Sequence, residues 1–390
     1  MKPAPPFVAF STVWFCYFAA IGAFNPYAPL WFKDLGFSTL AIGAISALQS
    51  WTRVAAPYAW GWFGDHRGRR VPLIRWAALI SLAATVCLLW AREYTTVAVI
   101  VVVMFMANGG VVPLSEASLG RLLSRGAGEM DATRYGRVRL WGSVGFILAV
   151  LMYGVVLEQA GIRWFPALVL LMYGLLLAAT LRLPVDSVER HGHDRPPPVL
   201  AVLRRPEVAW FFASVFFVVL AHTALYAFFS LYLDDRGYAK SSVGLLWGVS
   251  VAAEIVFFWA QGRIFGRLSP QRWLVWVGAL STLRFAVTAG LGGSWVALVF
   301  AQLLHVVTFA AQHMACIVLI NRYFPGAMRG RGQALYTVIG YGASGVIGGL
   351  AGGWLSTHLG FEAVYWAATG AAVLGWYCAV RAARHDSHAA

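Results

Sequence analysis

Ionisable side chains lie within several long apolar stretches of the sequence, and they are the groups there best able to do chemistry. Arg53 and Arg284 are basic, Glu116 and Glu254 are acidic, and His313 can be neutral or cationic. A carboxyl group that meets a cation in one arrangement of a protein, and not in another, can bind and release a proton. Opposite charges in an apolar setting can also simply hold helices together. These five residues are therefore candidates for proton coupling or for buried charge pairing.

The composition indicates the setting of these charges. Of the 390 residues, 60% are hydrophobic and only 12% are charged, whereas ordinary soluble domains have about 25% charged residues. A lipid bilayer accommodates such a chain as helices of about 20 apolar residues. The net charge of +14 does not indicate nucleic-acid binding, because the basic residues separate apolar stretches and form no continuous basic face. We therefore expect an integral membrane protein in contact with the lipid bilayer.

Several apolar stretches are long enough to cross a bilayer. If the even-to-odd connections and both termini share one side, that side carries 23 of the thirty lysines and arginines, and the other side carries five. The remaining two, Arg53 and Arg284, lie inside spans. Because basic loops stay in the cytoplasm, both termini are predicted to be cytoplasmic. The twelve predicted spans cover residues 7–31, 38–61, 71–91, 96–121, 137–158, 164–182, 207–233, 241–262, 272–290, 295–320, 333–356 and 362–381.

The two halves of the sequence resemble each other. A shift of 201 residues places LWFKDLGFSTLAIG (30–43) on LYLDDRGYAKSSVG (231–244) and matches Arg53 with Glu254. Repeated halves of six spans are typical of transporters in which two helical bundles rock around a central site. We therefore predict an all-α membrane protein with twelve transmembrane helices in two pseudo-symmetric six-helix bundles.

The repeat also predicts the domain organisation. The two bundles should cover residues 1–182 and 207–390, the second ending in a short cytoplasmic tail. Residues 183–206 are rich in proline and in charges of both signs, and they are predicted to form a cytoplasmic linker. His191 and His193 within this linker are too weak a pattern to predict a metal site.

A charged sequence follows the second span. GWFGDHRGRR (61–70) resembles the G-x-x-x-D-R-x-G-R-R signature between helices 2 and 3 of the major facilitator superfamily, with His66 where an arginine is usual. In that family the aspartate of this loop acts as a cytoplasmic latch that engages a neighbouring helix end in one access state. The counterpart in the second half, GRIFGRLSPQR (262–272), lacks the acid. The resemblance implies a cytoplasmic gate at Gly61, Gly64, Asp65, Arg67, Gly68, Arg69 and Arg70.

Three further stretches resemble the phenylpropionate permease-like branch of the superfamily, whose relatives include lactose and nucleoside proton symporters. They are YFAAIGAFNPYAPLWFKDLGFS (17–38), RYGRVRLWGSVGF (134–146) and FPGAMRGRGQALY (324–336). The resemblance implies the major facilitator fold, a bacterial-type inner (plasma) membrane, and a monomer that carries a small molecule together with protons. It implies no cofactor and no metal.

The same resemblance implies that helices 1, 4, 7 and 10 line a central cavity. In span 10, Gln302, His305, Phe309 and Gln312 recur at i, i+3, i+7 and i+10, which places them on one helical face. A polar face of a membrane helix looks into the protein, where it can bind a substrate or simply hydrogen-bond neighbouring helices. The candidates for substrate binding are Asn25, Asn108, His222, Tyr226, His305, Phe309 and Gln312.

Depth in the membrane predicts how the charges pair. At about 1.5 Å per residue, Arg53 lies about 12 Å inside the end of helix 2, a depth that Glu116 on helix 4 can match. Glu254 could face either His313 or Arg284, and the sequence does not choose between them. Because a permanently charged arginine favours a fixed carboxylate, we expect Glu254 rather than Glu116 to carry the proton.

Proline and glycine patterns predict the backbone geometry of two spans. Pro26 and Pro29 are expected to kink span 1. Gly345, Gly349 and Gly353 recur at four-residue spacing and give span 11 a small face that allows close helix packing.

Three classes of function could use these features. Proton-coupled symport, the uptake of a small organic solute such as an aromatic carboxylate, accounts for the repeat, the latch and the charges within spans. The alternatives are a proton-coupled efflux antiporter and a symporter of sugars or nucleosides. Span 5 reads WGSVGFILAVLMYG and lacks a glycine-proline run similar to that of drug antiporters, which favours symport. An enzyme is not predicted, because no two of the nine histidines have zinc-site spacing with a carboxylate and no phosphate-binding glycine-lysine loop is present.

Overall fold

A computed structural model describes residues 6–67, 69–123, 132–184 and 199–386. Within these ranges all regular secondary structure is helical. The long apolar runs form helices because a helix pairs its own backbone N–H and C=O groups, which lipid cannot do.

The described ranges contain twelve long helices, and each overlaps one predicted span. They are α1 (Pro6–Asp34), α2 (Thr39–Arg67), α3 (Arg70–Leu88), α4 (Tyr94–Leu119), α5 (Ala132–Ala160), α6 (Ile162–Thr180), α7 (Pro206–Asp235), α8 (Lys240–Ile264), α9 (Pro270–Leu291), α10 (Trp295–Tyr323), α11 (Arg329–Leu359) and α12 (Phe361–His385).

Within the described residues, eleven of these helices are long and apolar enough to cross a membrane. The exception is α2, which has sufficient length at 29 residues but a more polar sequence. Gln49, Ser50, Thr52 and Arg53 follow one another closely in its middle and lower its mean hydropathy. The predicted second span is therefore a helix that carries an unusually polar segment.

Four helices depart from regular α geometry. The expected kink in α1 is confirmed, since a turn at residues 25–27 contains Pro26. In α4 a turn at residues 109–110 interrupts the helix directly after Asn108. Segments Val306–Ala311 of α10 and Tyr336–Ala343 of α11 are π-helical. Such segments are frequent at functional sites because the wider turn changes which side chains share a face.

The contacts divide the chain into two units. Unit 1 contains most of the first six long helices, and unit 2 contains most of the last six. The exceptions are the first turns of α2, which belong to unit 2, and the first residues of α8, which belong to unit 1. Within unit 1, α1 packs on α5 and α6, and α3 packs on α4 and α6. Within unit 2, α7 packs on α11 and α12, and α9 packs on α10 and α12. Each pairing recurs six helices later, which confirms the predicted pseudo-symmetry. Unit 1 comprises Met1–Phe37, Thr52–Gly192 and Ala239–Leu245, and unit 2 comprises Ser38–Trp51, His193–Tyr238 and Leu246–Ala390.

The small face of α11 packs closely on the start of α2, within unit 2. A Cβ atom added at Gly349 would lie 2.6 Å from the carbonyl oxygen of Gly43, and one added at Gly353 would lie 3.0 Å from Cα of Leu40. An alanine at Gly349 would therefore require the two helices to move apart. This confirms the close-packing face predicted from the glycine spacing.

Asp386, directly after α12, joins three helix ends in unit 2. Its carboxylate, 3% exposed, lies 2.7 Å from Nη2 of Arg322 at the end of α10. It also accepts hydrogen bonds from the Tyr323 hydroxyl at 3.2 Å and from the Gln271 amide at the start of α9. Charge-assisted bonds of this kind are stronger than neutral ones. Asp386 thus supplies a buried carboxylate beside the second-half loop, which has no acid of its own.

Candidate functional site

A fully buried arginine lies at the centre of a polar cluster in unit 2. Arg284 of α9 is 1% exposed. Its Nη1 lies 2.6 Å from Nδ1 of His305 and 3.0 Å from Oγ1 of Thr308, and its Nη2 lies 3.0 Å from Oε1 of Gln302. Ser250 of α8 donates to the same Gln302 oxygen at 2.6 Å. A guanidinium only donates hydrogen bonds, so these acceptors offset the cost of burying it.

His305 connects this arginine to a carboxylate. Its Nε2 lies 2.9 Å from Oε1 of Glu254 on α8, and the two side chains are 4% and 13% exposed. Because Arg284 can only donate, Nδ1 of His305 accepts and Nε2 carries the ring proton. Neutral His305 therefore accepts from Arg284 while it donates to Glu254. We call these three residues the Arg–His–Glu chain.

A second histidine completes the cluster. Nδ1 of His222 on α7 lies 2.8 Å from the carbonyl oxygen of Val218, which can only accept, so this nitrogen donates. Its Nε2 lies 3.2 Å from the Thr308 hydroxyl and 3.4 Å from Nη1 of Arg284, so it accepts. Both imidazole rings are therefore neutral with both nitrogens engaged. One guanidinium and one carboxylate remain, and the cluster is electrically balanced.

Aromatic rings pack against the two histidines. Phe309 stacks on His305, with ring centroids 5.1 Å apart and planes 9° apart. Phe285 meets His222 edge to face at 5.2 Å, and Tyr226 lies 6.2 Å from the same ring. The α10 residues Thr308 and Phe309 come from the π-helical segment that begins directly after His305. These contacts restrict the orientation of both rings, and with them the direction of each ring nitrogen.

Four of the seven predicted substrate-binding residues come together in this way: His222, Tyr226, His305 and Phe309. Gln312, also on α10, is buried. Asn25 and Asn108 belong to unit 1. Asn108 is 1% exposed, and neither of its amide atoms is hydrogen-bonded within the described residues.

Glu254 directly contacts His305, which was not among the two partners considered from the sequence. Arg284 acts on Glu254 through the ring of His305. His313 is exposed, and its ring packs 6.3 Å from that of Tyr336. His313 is therefore not buried as predicted, and its role in proton coupling stays a prediction.

The charged groups of unit 1 are arranged differently. Oε1 of Glu116 accepts a hydrogen bond from the Tyr135 hydroxyl at 3.0 Å, and Arg139 of α5 is close enough to interact electrostatically with Glu116. Arg53 is exposed, and within the described ranges no ion pair joins it to Glu116. The predicted Arg53–Glu116 pair is therefore wrong, since Tyr135 and Arg139 occupy the surroundings of the carboxylate. The depth of Arg53 within the membrane stays a prediction.

Comparison with known proteins identifies the family. The model of the MFS_1-like family matches residues 7–367 of this chain. The chain belongs to the MFS_1-like family. It is 28% identical over 363 residues to the "Probable 3-phenylpropionic acid transporter" of Escherichia coli (strain K12), which covers 90% of this chain and 92% of that protein. It is 26% identical over 362 residues to the maltose permease of Geobacillus stearothermophilus, covering 91% and 89%.

A solved structure confirms the major facilitator fold of this MFS_1-like chain. The crystal structure of a single-residue mutant of the nucleoside transporter NupG matches it with a TM-score of 0.85 at 17% identity, covering 97% of this chain and 100% of that chain. The family model and this fold together confirm the predicted superfamily, and the protein is a transporter rather than an enzyme.

The loop motif of this MFS_1-like transporter lies at the junction of α2 and α3. A Cβ atom added at Gly64 would lie 3.0 Å from Leu114 of α4, whereas one added at Gly61 would meet open space. A larger residue at position 64 would therefore require the Leu114 side chain to shift slightly. Gly68 and the side chains of Asp65 and Arg67 lie outside the described residues. The gating role of the motif stays a prediction.

Sequence reasoning missed several members of these clusters, among them Arg139 and Thr308. Arg139 was counted among loop residues because it falls at the edge of a predicted span that begins at residue 137, but α5 begins at Ala132, so Arg139 lies two turns inside the helix. Thr308 is three residues from His305 and therefore shares its helical face. Its spacing was a signal that could have identified it.

Proposed function

We propose that this MFS_1-like transporter takes up an aromatic carboxylate in symport with protons by alternating access, and that Glu254 carries the proton. The observation that supports this most strongly is the Arg–His–Glu chain in unit 2. The name of the Escherichia coli relative, which refers to 3-phenylpropionic acid, supports a substrate with a ring and a carboxyl group.

The hydrogen bonds of the cluster direct an added proton to Glu254. Each nitrogen of His305 and His222 already donates or accepts one hydrogen bond, and a guanidinium has no lone pair to offer. Carboxylate oxygens accept several hydrogen bonds at once, so Glu254 can take a proton while the rest of the cluster stays in place. The added proton leaves Arg284 without a compensating negative charge within the cluster.

This change of charge is the proposed coupling step. A cluster that is balanced in one protonation state and cationic in the other interacts differently with its surroundings in the two states. Such a difference can shift the equilibrium between inward and outward access. An anionic solute would balance the positive charge that the proton brings, which favours joint movement of the two.

The proposed mechanism also requires a particular membrane topology. The bundles at 1–182 and 207–390 would move as two bodies joined by the linker at 183–206, in a bacterial inner membrane, as a monomer with both termini cytoplasmic. Single-cysteine labelling should find positions 66, 190 and 328 on the cytoplasmic side and positions 34, 161 and 236 outside. A reversal of any position would contradict this topology.

The function is tested by uptake of labelled solutes into proteoliposomes with an imposed pH gradient. The panel contains 3-phenylpropionate, maltose and a nucleoside, and protein-free liposomes correct for passive entry of the undissociated acid. We expect protein-dependent accumulation of 3-phenylpropionate when the outside is acidic, abolished by a protonophore. Export of the acid against its gradient under the same conditions would indicate antiport and contradict the proposal.

A sugar or nucleoside symporter is the second candidate. The maltose permease relative favours it, because maltose has hydroxyl groups that a polar residue such as Gln312 could bind. Gradient-driven accumulation of maltose or the nucleoside, with none of the acid, would support this candidate instead.

A further inference from the structure

Thr308 of α10 lies between the buried arginine of unit 2 and the second histidine. Its hydroxyl oxygen is 3.0 Å from Nη1 of Arg284 and 3.2 Å from Nε2 of His222. Because a guanidinium only donates, the Thr308 oxygen accepts from Arg284, and its own proton points to His222. The Thr308 side chain is fully buried and takes no part in the proposed coupling step. Thr308 therefore separates the donor of Arg284 from the acceptor of His222.

The two histidines of the cluster carry their ring protons on opposite nitrogens. His305 accepts from Arg284 at Nδ1 and donates from Nε2. His222 donates from Nδ1 to the carbonyl oxygen of Val218 and accepts at Nε2. The protonated nitrogen of a neutral imidazole is set by the hydrogen bond that the other nitrogen makes. The direction in which Arg284 donates therefore fixes the tautomer of His305, and with it the donor that faces Glu254.

Within the described residues, Nη1 of Arg284 has two protons and three acceptors in reach. Nδ1 of His305 lies 2.6 Å away, Oγ1 of Thr308 3.0 Å and Nε2 of His222 3.4 Å. The Thr308 hydroxyl takes up the second proton of Nη1 and also the lone pair of His222. Without that hydroxyl, this proton and this lone pair would lose their partners, and they could pair by approaching about 0.4 Å. The guanidinium would then turn towards His222 and away from His305.

We propose that Thr308 is a positioning residue for proton coupling, because its hydroxyl keeps the donor of Arg284 directed at His305. His305 in turn keeps its proton on Nε2, where it donates to the Glu254 carboxylate at 2.9 Å. A carboxylate that faces a fixed donor can gain or lose a proton while the ring keeps its tautomer. The inference rests on the proposed proton transport by Glu254, but the effect of Thr308 on the histidine tautomers does not depend on transport.

Histidine tautomers measured by solid-state NMR test the inference without transport. The purified protein carries isotope-labelled histidine, and the two signals are identified by their loss in His305→Gln and His222→Gln. The wild type should show His305 protonated at Nε2 and His222 protonated at Nδ1. Thr308→Val keeps the shape of the side chain and removes the hydroxyl, so His305 should become a mixture of tautomers. Thr308→Ser, which keeps the hydroxyl, should show the wild-type tautomers.

Transport in proteoliposomes gives a second measurement. Thr308→Val should retain exchange of labelled for unlabelled 3-phenylpropionate. Its accumulation driven by an acidic exterior should fall about tenfold, as expected for the loss of one hydrogen bond to a charged group. Thr308→Ser should recover accumulation. A loss of packing alone would lower exchange and accumulation together, and it would be greater in Thr308→Ser, since serine lacks the methyl group.

Thr288→Val is the matched control. Thr288 is a buried threonine of α9 whose hydroxyl donates to the backbone carbonyl oxygen of Arg284 at 2.9 Å, so this variant loses a hydroxyl close to Arg284 without touching its guanidinium. It should leave both activities and both tautomers unchanged. Thr308→Ala, which lacks the hydroxyl and leaves more space, should behave as Thr308→Val does. The inference is overturned if the two wild-type rings share one tautomer, or if either variant without the hydroxyl keeps the wild-type tautomers or the wild-type accumulation.

The two measurements separate this inference from the proposed function. If the wild type shows no proton-driven accumulation but Thr308→Val changes the tautomer of His305, the positioning role of Thr308 stands and symport fails. If the wild type accumulates the acid and Thr308→Val does so equally, symport stands and the role of Thr308 fails.

Discussion

In unit 2, Arg284 and Glu254 are joined through His305 by two hydrogen bonds of 2.6 and 2.9 Å. In unit 1, the carboxylate of Glu116 accepts from the Tyr135 hydroxyl at 3.0 Å and interacts electrostatically with Arg139, and Arg53 is exposed. The sequence repeat nevertheless matches Arg53 with Glu254. The two units therefore share a helix arrangement and differ in charge at a matched position. We interpret the electrically balanced cluster of unit 2 as the part that handles a proton.

The largest expected effect follows from removing the buried guanidinium. Arg284→Gln leaves Glu254 as an uncompensated charge in unit 2, and breaking a buried pair in this way costs about 3–5 kcal/mol. The double variant Arg284→Gln/Glu254→Gln removes both charges and should recover most of that stability. Thermal unfolding of the purified proteins measures both.

Arg53→Gln is the control for this comparison. Arg53 is exposed, so its loss should change the free energy of unfolding by no more than about 0.5 kcal/mol. A double variant in unit 2 as unstable as Arg284→Gln alone would contradict the charge balance assigned to the cluster.

The ion pair of Asp386 with Arg322 in unit 2 should affect stability without affecting transport. Asp386→Asn weakens the bond to Arg322 at the helix ends, away from the Arg–His–Glu chain. It should lower the free energy of unfolding by about 2 kcal/mol, while uptake per folded molecule stays unchanged. Glu362→Gln, which alters the pair of Arg236 with a 61% exposed carboxylate, should have a much smaller effect. A selective loss of proton coupling in Asp386→Asn would show that the two clusters of unit 2 are not independent.

The smallest of these effects is expected in unit 1. Glu116→Gln keeps an oxygen that can accept from Tyr135 but removes the charge near Arg139. Exchange and gradient-driven accumulation should fall together, by about tenfold, as expected for the loss of a charge-assisted interaction worth about 1.4 kcal/mol. Radiolabelled uptake with and without a pH gradient measures both. Loss of accumulation alone would transfer the coupling role from unit 2 to Glu116.

The helices followed from the sequence because long apolar runs and a bilayer leave few other structures. The kink at Pro26 and the close-packing face around Gly349 followed as well, since each depends on the geometry of the residue itself. Side-chain pairing was less predictable. His313 and Arg284 were both considered as partners of Glu254, but the spacing of residues along α8 and α10 did not reveal that His305 contacts it directly. Arg53 was paired with Glu116 by depth alone, and depth does not show that Tyr135 and Arg139 surround that carboxylate.

Glu254→Gln tests the central claim most directly. Two rates are measured in the same proteoliposomes: exchange of labelled for unlabelled 3-phenylpropionate without a gradient, and accumulation of the acid driven by an acidic exterior. Because glutamine resembles the protonated carboxyl, exchange should continue near the wild-type rate while accumulation falls to the level of protein-free liposomes. Glu362→Gln, a carboxylate variant of unit 2 outside the cluster, should retain both activities. Normal gradient-driven accumulation by Glu254→Gln would contradict the account and leave the Arg–His–Glu chain with a structural role alone.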